Sequence, residues 1–387
     1  MSMLEIITKA ISAVSDHQKQ SAPSKFPIIL NADNIFPQLK PETNDSDESP
    51  SIKKVVGWEI SSLDSQIMDS TAWLVTKLKR KLKASKSFTT DEFLKLLNFF
   101  LKKCGENAGI SIEVQASEGS KYSSRLIEKH GAFIGPELAG LIAECCVALE
   151  VWDLLETLIL QRLIKHSSFG NLIVMLIEKK KSHLLTLCVK SATDLQPSDL
   201  LAILKYFLAI DSCGSMKEVK EEWEAQERTA IDKVIKKKTP LNKQVAIQLM
   251  AANDGFSGSE KGLHYLFTSI NTEDAALSWA IGELEGPEVI KLVRYLTKWL
   301  DKYEKFPQLV GAASKGISEA SKGVPSLESV VMSAGMIMDE HFSYLVLQRE
   351  FYDELRIFEE KVKILVEEAK LCSDIADMIE ILRSQED

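Results

Sequence analysis

The chain has 387 residues, a formal charge of −9 and a pI near 5.4. Apolar residues make up 45% of it, too many for wholesale disorder, and its length calls for two or three helical units or one continuous array. The acidic total argues against indiscriminate phosphate binding, and no run of about 18 apolar residues is present to span a membrane.

Met1 to Val14 has the apolar period of a short amphipathic helix, placed within residues 1–20. It contains Glu5 and lacks a basic leader with a long apolar core, so a secretory signal is not expected. Residues 21–52 carry Pro23, Pro27, Pro37, Pro41 and Pro50 together with Glu42, Asp45, Asp47 and Glu48, the composition of an acidic linker. Ser51 to Ile60 is the one weak strand candidate. Residues 53–123 are expected to form an N-terminal helical segment and loop. Trp73, Leu74, Leu78 and Leu82 make one stripe there, Thr89 and Glu92 suit a capping box, and Phe93, Leu96, Leu97, Phe100 and Leu101 form the next stripe. Gly105 to Ser124 is polar and is assigned to the loop.

Residues 124–387 are expected to form a C-terminal helical domain. Helices are expected over Pro136–Val151, Trp152–His166 and Ser168–Val189, with short turns that make them antiparallel neighbours. Pro197 opens a helix carrying Leu200, Leu204 and Phe207. Lys217 to Lys238 is so charged that a solvated helix is expected. Pro240 starts another helix that ends near Asp254–Gly255, and Pro287 opens one with Val289, Leu292, Val293, Leu296, Trp299 and Tyr303 on one face. The last helix is expected to be the longest, with Tyr344, Leu347, Phe351, Leu355, Phe358, Val362 and Leu365 at steps of three and four. The expected fold is therefore all-α, an irregular helical array of α-solenoid-like hairpins with a long C-terminal helix. No fixed-period repeat is visible.

No catalytic constellation stands out. His17, His130, His166, His183, His264 and His341 include no pair at helical spacing and are expected at surfaces or interfaces. Cys145 and Cys146 are adjacent, so on a helix they diverge by about 100°. No cysteine pair has C-x-x-C spacing, and buried thiols in a reducing compartment are expected. Gly255, Gly258 and Gly262 lack the lysine and the preceding strand of a phosphate loop. No enzyme, cofactor, metal or small-molecule substrate is expected. Two basic clusters remain, Lys77, Lys79, Arg80, Lys81 and Lys83, then Lys233, Lys236, Lys237 and Lys238. They suit nuclear import or an RNA-facing surface, or else a solvated helix face. No aromatic residue interleaves with them, so base stacking is not expected. The long stripe from Tyr344 to Leu365 is the candidate partner-binding surface, with internal core as its alternative.

An ordered series of segments carries a family resemblance. It runs through Leu184, Leu185, Leu187 and Cys188, the Asp194–Leu195–Gln196–Pro197 break, then Leu204, Lys205, Tyr206, Phe207 and Leu208. Pro287, Leu292, Arg294, Tyr295, Leu296 and Trp299 follow, then Pro325, Ser326 and Leu327, then Ile337, Met338, Asp339, His341 and Phe342, and the helix ending near Val366. Over about two-thirds of the chain, Ser124 to Leu382, this resembles the C-terminal helical region of the nucleolar protein eleven family. These proteins are counterparts of a subunit of the early A subcomplex of the small-subunit processome. Members usually carry a β-propeller before that region, whereas here a short N-terminal piece and the acidic linker precede it, as in a propeller-less relative or a truncated product. The resemblance implies a non-enzymatic scaffold subunit of the nucleus and nucleolus, acting in ribosomal RNA transcription and early small-subunit pre-rRNA processing. Its implied partners are other processome subunits met through helical regions, any contact with pre-ribosomal RNA being indirect. A generic α-helical adaptor in trafficking or protein degradation is the alternative.

Overall fold

The computed structural model describes residues 62–84, 88–109, 119–192, 195–209, 216–268, 274–312 and 323–384. The expected N-terminal helix, the acidic linker and the strand candidate Ser51–Ile60 lie outside these. The described residues belong to one compact unit, Ile60–Asp387. They form fifteen α-helices and no strand, so the all-α class holds.

The helices are α1 (Ser62–Lys83), α2 (Thr90–Asn107), α3 (Ser120–His130), α4 (Pro136–Ala148), α5 (Trp152–Leu160), α6 (His166–Glu178), α7 (Ser182–Ser191) and α8 (Pro197–Ala209). After them come α9 (Lys217–Lys236), α10 (Pro240–Asn253), α11 (Gly258–Thr268), α12 (Asp274–Gly282), α13 (Gly286–Lys305), α14 (Leu327–Leu347) and α15 (Tyr352–Ser384). Two rows result. In one, α1, α4, α6, α8, α12 and α14 each pack on the next; in the other, α2, α3, α5, α7 and α11 do the same. The α9–α10 hairpin lies on α7 and α11, and α13 joins α8 to α14 and α15. The expected boundary at residue 124 falls inside α3, and helices on both sides of it share one apolar core.

Three of the turns are built alike. At the end of α4 the Val151 N–H reaches the Cys146 carbonyl (2.9 Å) and the Glu150 N–H reaches Val147 (3.4 Å). The same pair of bonds closes α5 through Leu163 and Arg162, and α6 through Lys181 and Lys180. This is the Schellman pattern, which needs one residue in the left-handed region. Glu150, Arg162 and Lys180 supply it at φ of 58°, 52° and 54°, without glycine. The turn at Lys180 splits the helix expected over Ser168–Val189 into α6 and α7. An unfavourable αL residue is tolerated there because leucines on both sides, Leu176 and Leu184 among them, are buried only if the chain reverses.

Thr89 caps α2 by accepting from the Glu92 N–H (3.4 Å), while Glu92 itself turns to Lys81 (2.8 Å). The reciprocal capping box instead belongs to α13, between Glu285 and Glu288. The charged helix α9 differs from a wholly solvated one. Val219, Trp223 and Ala230 are buried along one side of it, and Trp223 is fully enclosed. Of the glycines singled out in sequence, Gly255 takes φ of 78° in the α10–α11 turn. A Cβ on Gly262 would stand 2.4 Å from the Phe207 ring, so only glycine lets α11 lie this close to α8.

The long C-terminal helix is interrupted. Gln348 is extended (φ −94°, ψ 107°), Arg349–Phe351 form a 3₁₀ turn, and α15 starts afresh at Tyr352. A three-to-four spacing thus continues across a break, because residues on both sides face the same neighbour, α13.

Candidate functional site

The break reassigns the stripe expected to bind a partner. Phe351 and Phe358 are buried, and Leu355 and Leu365 are half-buried against the core. These four belong to the fold, a correction to reading the stripe as one interface. Tyr344, Leu347 and Val362 remain exposed, Leu347 at 78%. The apolar surface free of the core lies further along. From Val366 onward no described residue of α15 with a described side chain is buried. Leu371, Cys372, Ile375 and Met378 are all exposed there, and Leu371, Ile375 and Met378 recur at the steps of four and three that place them on one face. Glu367, Glu368, Asp374 and Asp377 accompany them, with Lys370 as counter-charge. That distal face was missed in sequence, although Leu371, Ile375 and Met378 hold the same spacing, because the larger aromatic stripe upstream dominated the pattern.

The two basic clusters are treated differently by the fold. In the first, Lys79 pairs with Glu137 (2.7 Å), Lys81 pairs with Glu92, and the Lys77 ammonium lies over the Trp73 ring, 4.8 Å from its centre. Arg80 and Lys83 are exposed. In the second, Lys233 and Lys236 close α9, where cations complement the helix dipole, and Lys237 and Lys238 follow in the turn. The Asn242 amide donates to the carbonyls of Lys233 and Lys237. All four of these lysines are exposed.

Two of the histidines, His264 and His130, are buried rather than at the surface or interface expected of them. His264 is fully buried, with Nε2 against the Ala252 carbonyl (3.1 Å) and Nδ1 against the Tyr295 hydroxyl (2.9 Å). A carbonyl only accepts, so Nε2 carries the proton and Nδ1 accepts from Tyr295. Burial holds this imidazole down to about 3, against the opposing pull of Ala252. Phe256, Trp223 and Trp299 surround the ring. His130 is buried beside Phe133, and burial lowers its pKa. His183 lies between Glu222 (3.6 Å) and Glu156 (3.8 Å), and the Glu222 carboxylate raises its pKa. Burial alone would raise Glu222, but His183 and Lys190 override it and hold the acid at about 2. Lys190 also lies over the Tyr265 ring. This cluster ties α5, α7, α9 and α11 together. His341 bonds the Ile281 carbonyl (2.7 Å), and the side chain of His166 lies outside the described residues.

The thiols of Cys104, Cys145, Cys146 and Cys188 are buried, and burial raises all four. Among the described residues no group of three or more His, Cys, Asp or Glu side chains could hold a metal ion, and no helix is long and apolar enough to cross a membrane. A recess of about 760 Å³ lies beside α9–α11 and contains Lys261, which bonds Asn253 (2.6 Å). Asn253 in turn donates to Glu227 (2.5 Å) and to the Trp223 carbonyl (3.1 Å). The lysine is therefore accounted for by a local polar network that joins α9, α10 and α11. A scan against protein-family models and a search of curated proteins found no match to this chain.

Proposed function

We propose that this chain is a non-enzymatic interaction subunit whose helical array presents the distal half of α15 to a partner protein. The observation that carries this reading is the exposed stripe of Leu371, Cys372, Ile375 and Met378 on a helix that runs on past its own core. A 33-residue helix is about 50 Å long, and only its first half is needed to cover α13. Apolar side chains repeated on one face of a free helix are what a groove or a second helix recognises.

The finer reading is a scaffold subunit in ribosome biogenesis, supporting ribosomal RNA transcription and early small-subunit pre-rRNA processing in the nucleolus. It is supported by the ordered sequence resemblance described above. The test is recovery of the tagged full chain from cells, wild type against the double variant Leu371→Glu, Ile375→Glu. Mass spectrometry should find small-subunit processome subunits with the wild type and lose them with the variant, and the tagged protein should concentrate in nucleoli. Partners drawn from trafficking or degradation machinery would replace the ribosomal reading with the adaptor reading. An unchanged partner set in the variant would remove α15 from the interface.

A further inference from the structure

The structure brings together what the sequence keeps apart. Trp73 on α1 and Phe99 on α2 lie edge to face, 5.9 Å between ring centres and 60° between planes. Both are exposed, Trp73 at 41% and Phe99 at 57%. They line an open recess of about 500 Å³ together with Gln66, Asp69, Ser70 and Lys103. Lys95, Phe99 and Lys103 stand four residues apart along α2, and Trp73, Lys77 and Arg80 follow the same kind of line on α1. Lys77 sits over the Trp73 ring. Arg80, Lys95 and Lys103 are exposed and form no ion pair among the described residues, whereas their neighbours Lys79 and Lys81 are paired with Glu137 and Glu92. Two open aromatic faces are thus flanked by four cations in a chain whose net charge is −9.

We propose that this α1–α2 face binds single-stranded nucleic acid. The inference goes beyond the interaction-subunit reading and uses a different surface. Unpaired bases stack on exposed aromatic rings whatever their identity, while lysines and arginines follow the phosphates. The polar lining adds edge contacts: a carboxylate such as Asp69 accepts from a base N–H, and Gln66 and Ser70 both donate and accept. That lining also distinguishes the ligand. An acyl chain would leave Asp69 and Ser70 without partners in a dry contact, and an apolar protein helix would strand the four cations. A base with its phosphate satisfies both. Lys77 serves as a placeholder on Trp73 that a base displaces, since a cation and a base use the same ring face.

The test uses the full chain and a fluorescently labelled 15-mer of uridylate, followed by anisotropy at low salt. Trp73→Ala and Phe99→Ala should each weaken binding roughly 5- to 150-fold, the range for loss of one stacked base. An RNA duplex of equal length should bind more weakly, because its bases are not free to stack. Replacing Lys95 and Lys103 by Gln should lower the slope of log affinity against log salt by about 1.4, at ~0.7 per phosphate contact on a single strand. This double variant keeps the test open if an aromatic variant fails to fold, as checked by circular dichroism and melting. Absence of binding, binding indifferent to the aromatic variants, or equal affinity for the duplex would each overturn the proposal. Capture by anionic phospholipid vesicles that depends on Trp73, without capture of the 15-mer, would reassign the face to a membrane surface. None of these outcomes bears on α15, so failure here is distinct from failure of the partner-protein reading.

Discussion

Glu150, Arg162 and Lys180 hold left-handed backbone where a glycine would be free of strain. The side chain of Lys180 is exposed, and it can be removed without disturbing the core. Lys180→Gly should therefore stabilise the chain by roughly 0.5–1 kcal/mol, the strain relieved exceeding the entropy added to the unfolded state. Lys180→Val should destabilise it, as judged by urea midpoints. The buried imidazole of His264 makes a second prediction. Its folded pKa, about 3, lies below its unfolded value. Its stabilising contribution is complete above pH ~6.5 and is lost as pH falls toward 3. Melting temperature should drop across that window, and His264→Gln should flatten the drop while lowering stability at pH 7. His183 has the opposite sign. Its pKa is raised by Glu222, so the contribution of that pair is present below pH ~6.5 and fades as pH rises through the folded value. Glu222→Gln should remove this fade on the alkaline side and leave the His264 window in place. Which histidine was buried could not be read from sequence, since His264 and His130 stand in segments no more apolar than those of the others. Burial depended on which helix came to lie over each ring.

At the level of the element, α15 divides into a packed half and an exposed half, and substitutions should separate them. Phe358 is 8% exposed and faces the core. Phe358→Ala should cost on the order of 3 kcal/mol and lower the melting temperature. Leu371→Glu with Ile375→Glu should leave the melting temperature nearly unchanged, because neither side chain touches the core. A melting loss in the second variant would show that the distal half supports the fold. The same helix shows where periodicity is informative and where it misleads. Starts at Pro136, Pro197 and Pro240 were legible because a first-turn proline is a local signal. The end of α14 had none. Gln348 is neither glycine nor proline, and the chain bends there because both segments find α13 to pack on. The Trp73–Phe99 face was invisible for a similar reason. The two rings are 26 residues apart in sequence, and only the pairing of α1 with α2 makes them one surface.

For the molecule as a whole, the two-row arrangement means that each helix depends chiefly on its immediate neighbours. Stability should then be local along the array. Leu78→Ala, which opens a cavity under α1, should speed amide exchange in α1, α2 and α4 while leaving α13 close to wild type. Uniform acceleration through all helices would instead mark a single cooperative core. The polar cluster of Glu156, His183, Lys190 and Glu222 is the place where this locality should be weakest, because it joins three helices, α5, α7 and α9, through charged contacts.

The all-α class and the places where helices begin are written into the chain locally. Apolar steps of three and four, first-turn prolines and the scarcity of strand patterning specify helices whatever their surroundings, since these are properties of the local backbone. Which faces became interior was decided only by the tertiary structure. The reason is that an amphipathic stripe states that something must cover it without stating what. The stripes of α13 and the first half of α15 cover each other, the leucines of α6 and α7 are enclosed by the turn at Lys180, and the stripe at Leu371, Ile375 and Met378 has the same local pattern yet stays exposed among the described residues. Burial is a relation between segments distant in sequence, and so the division of α15 into core and free surface came from packing.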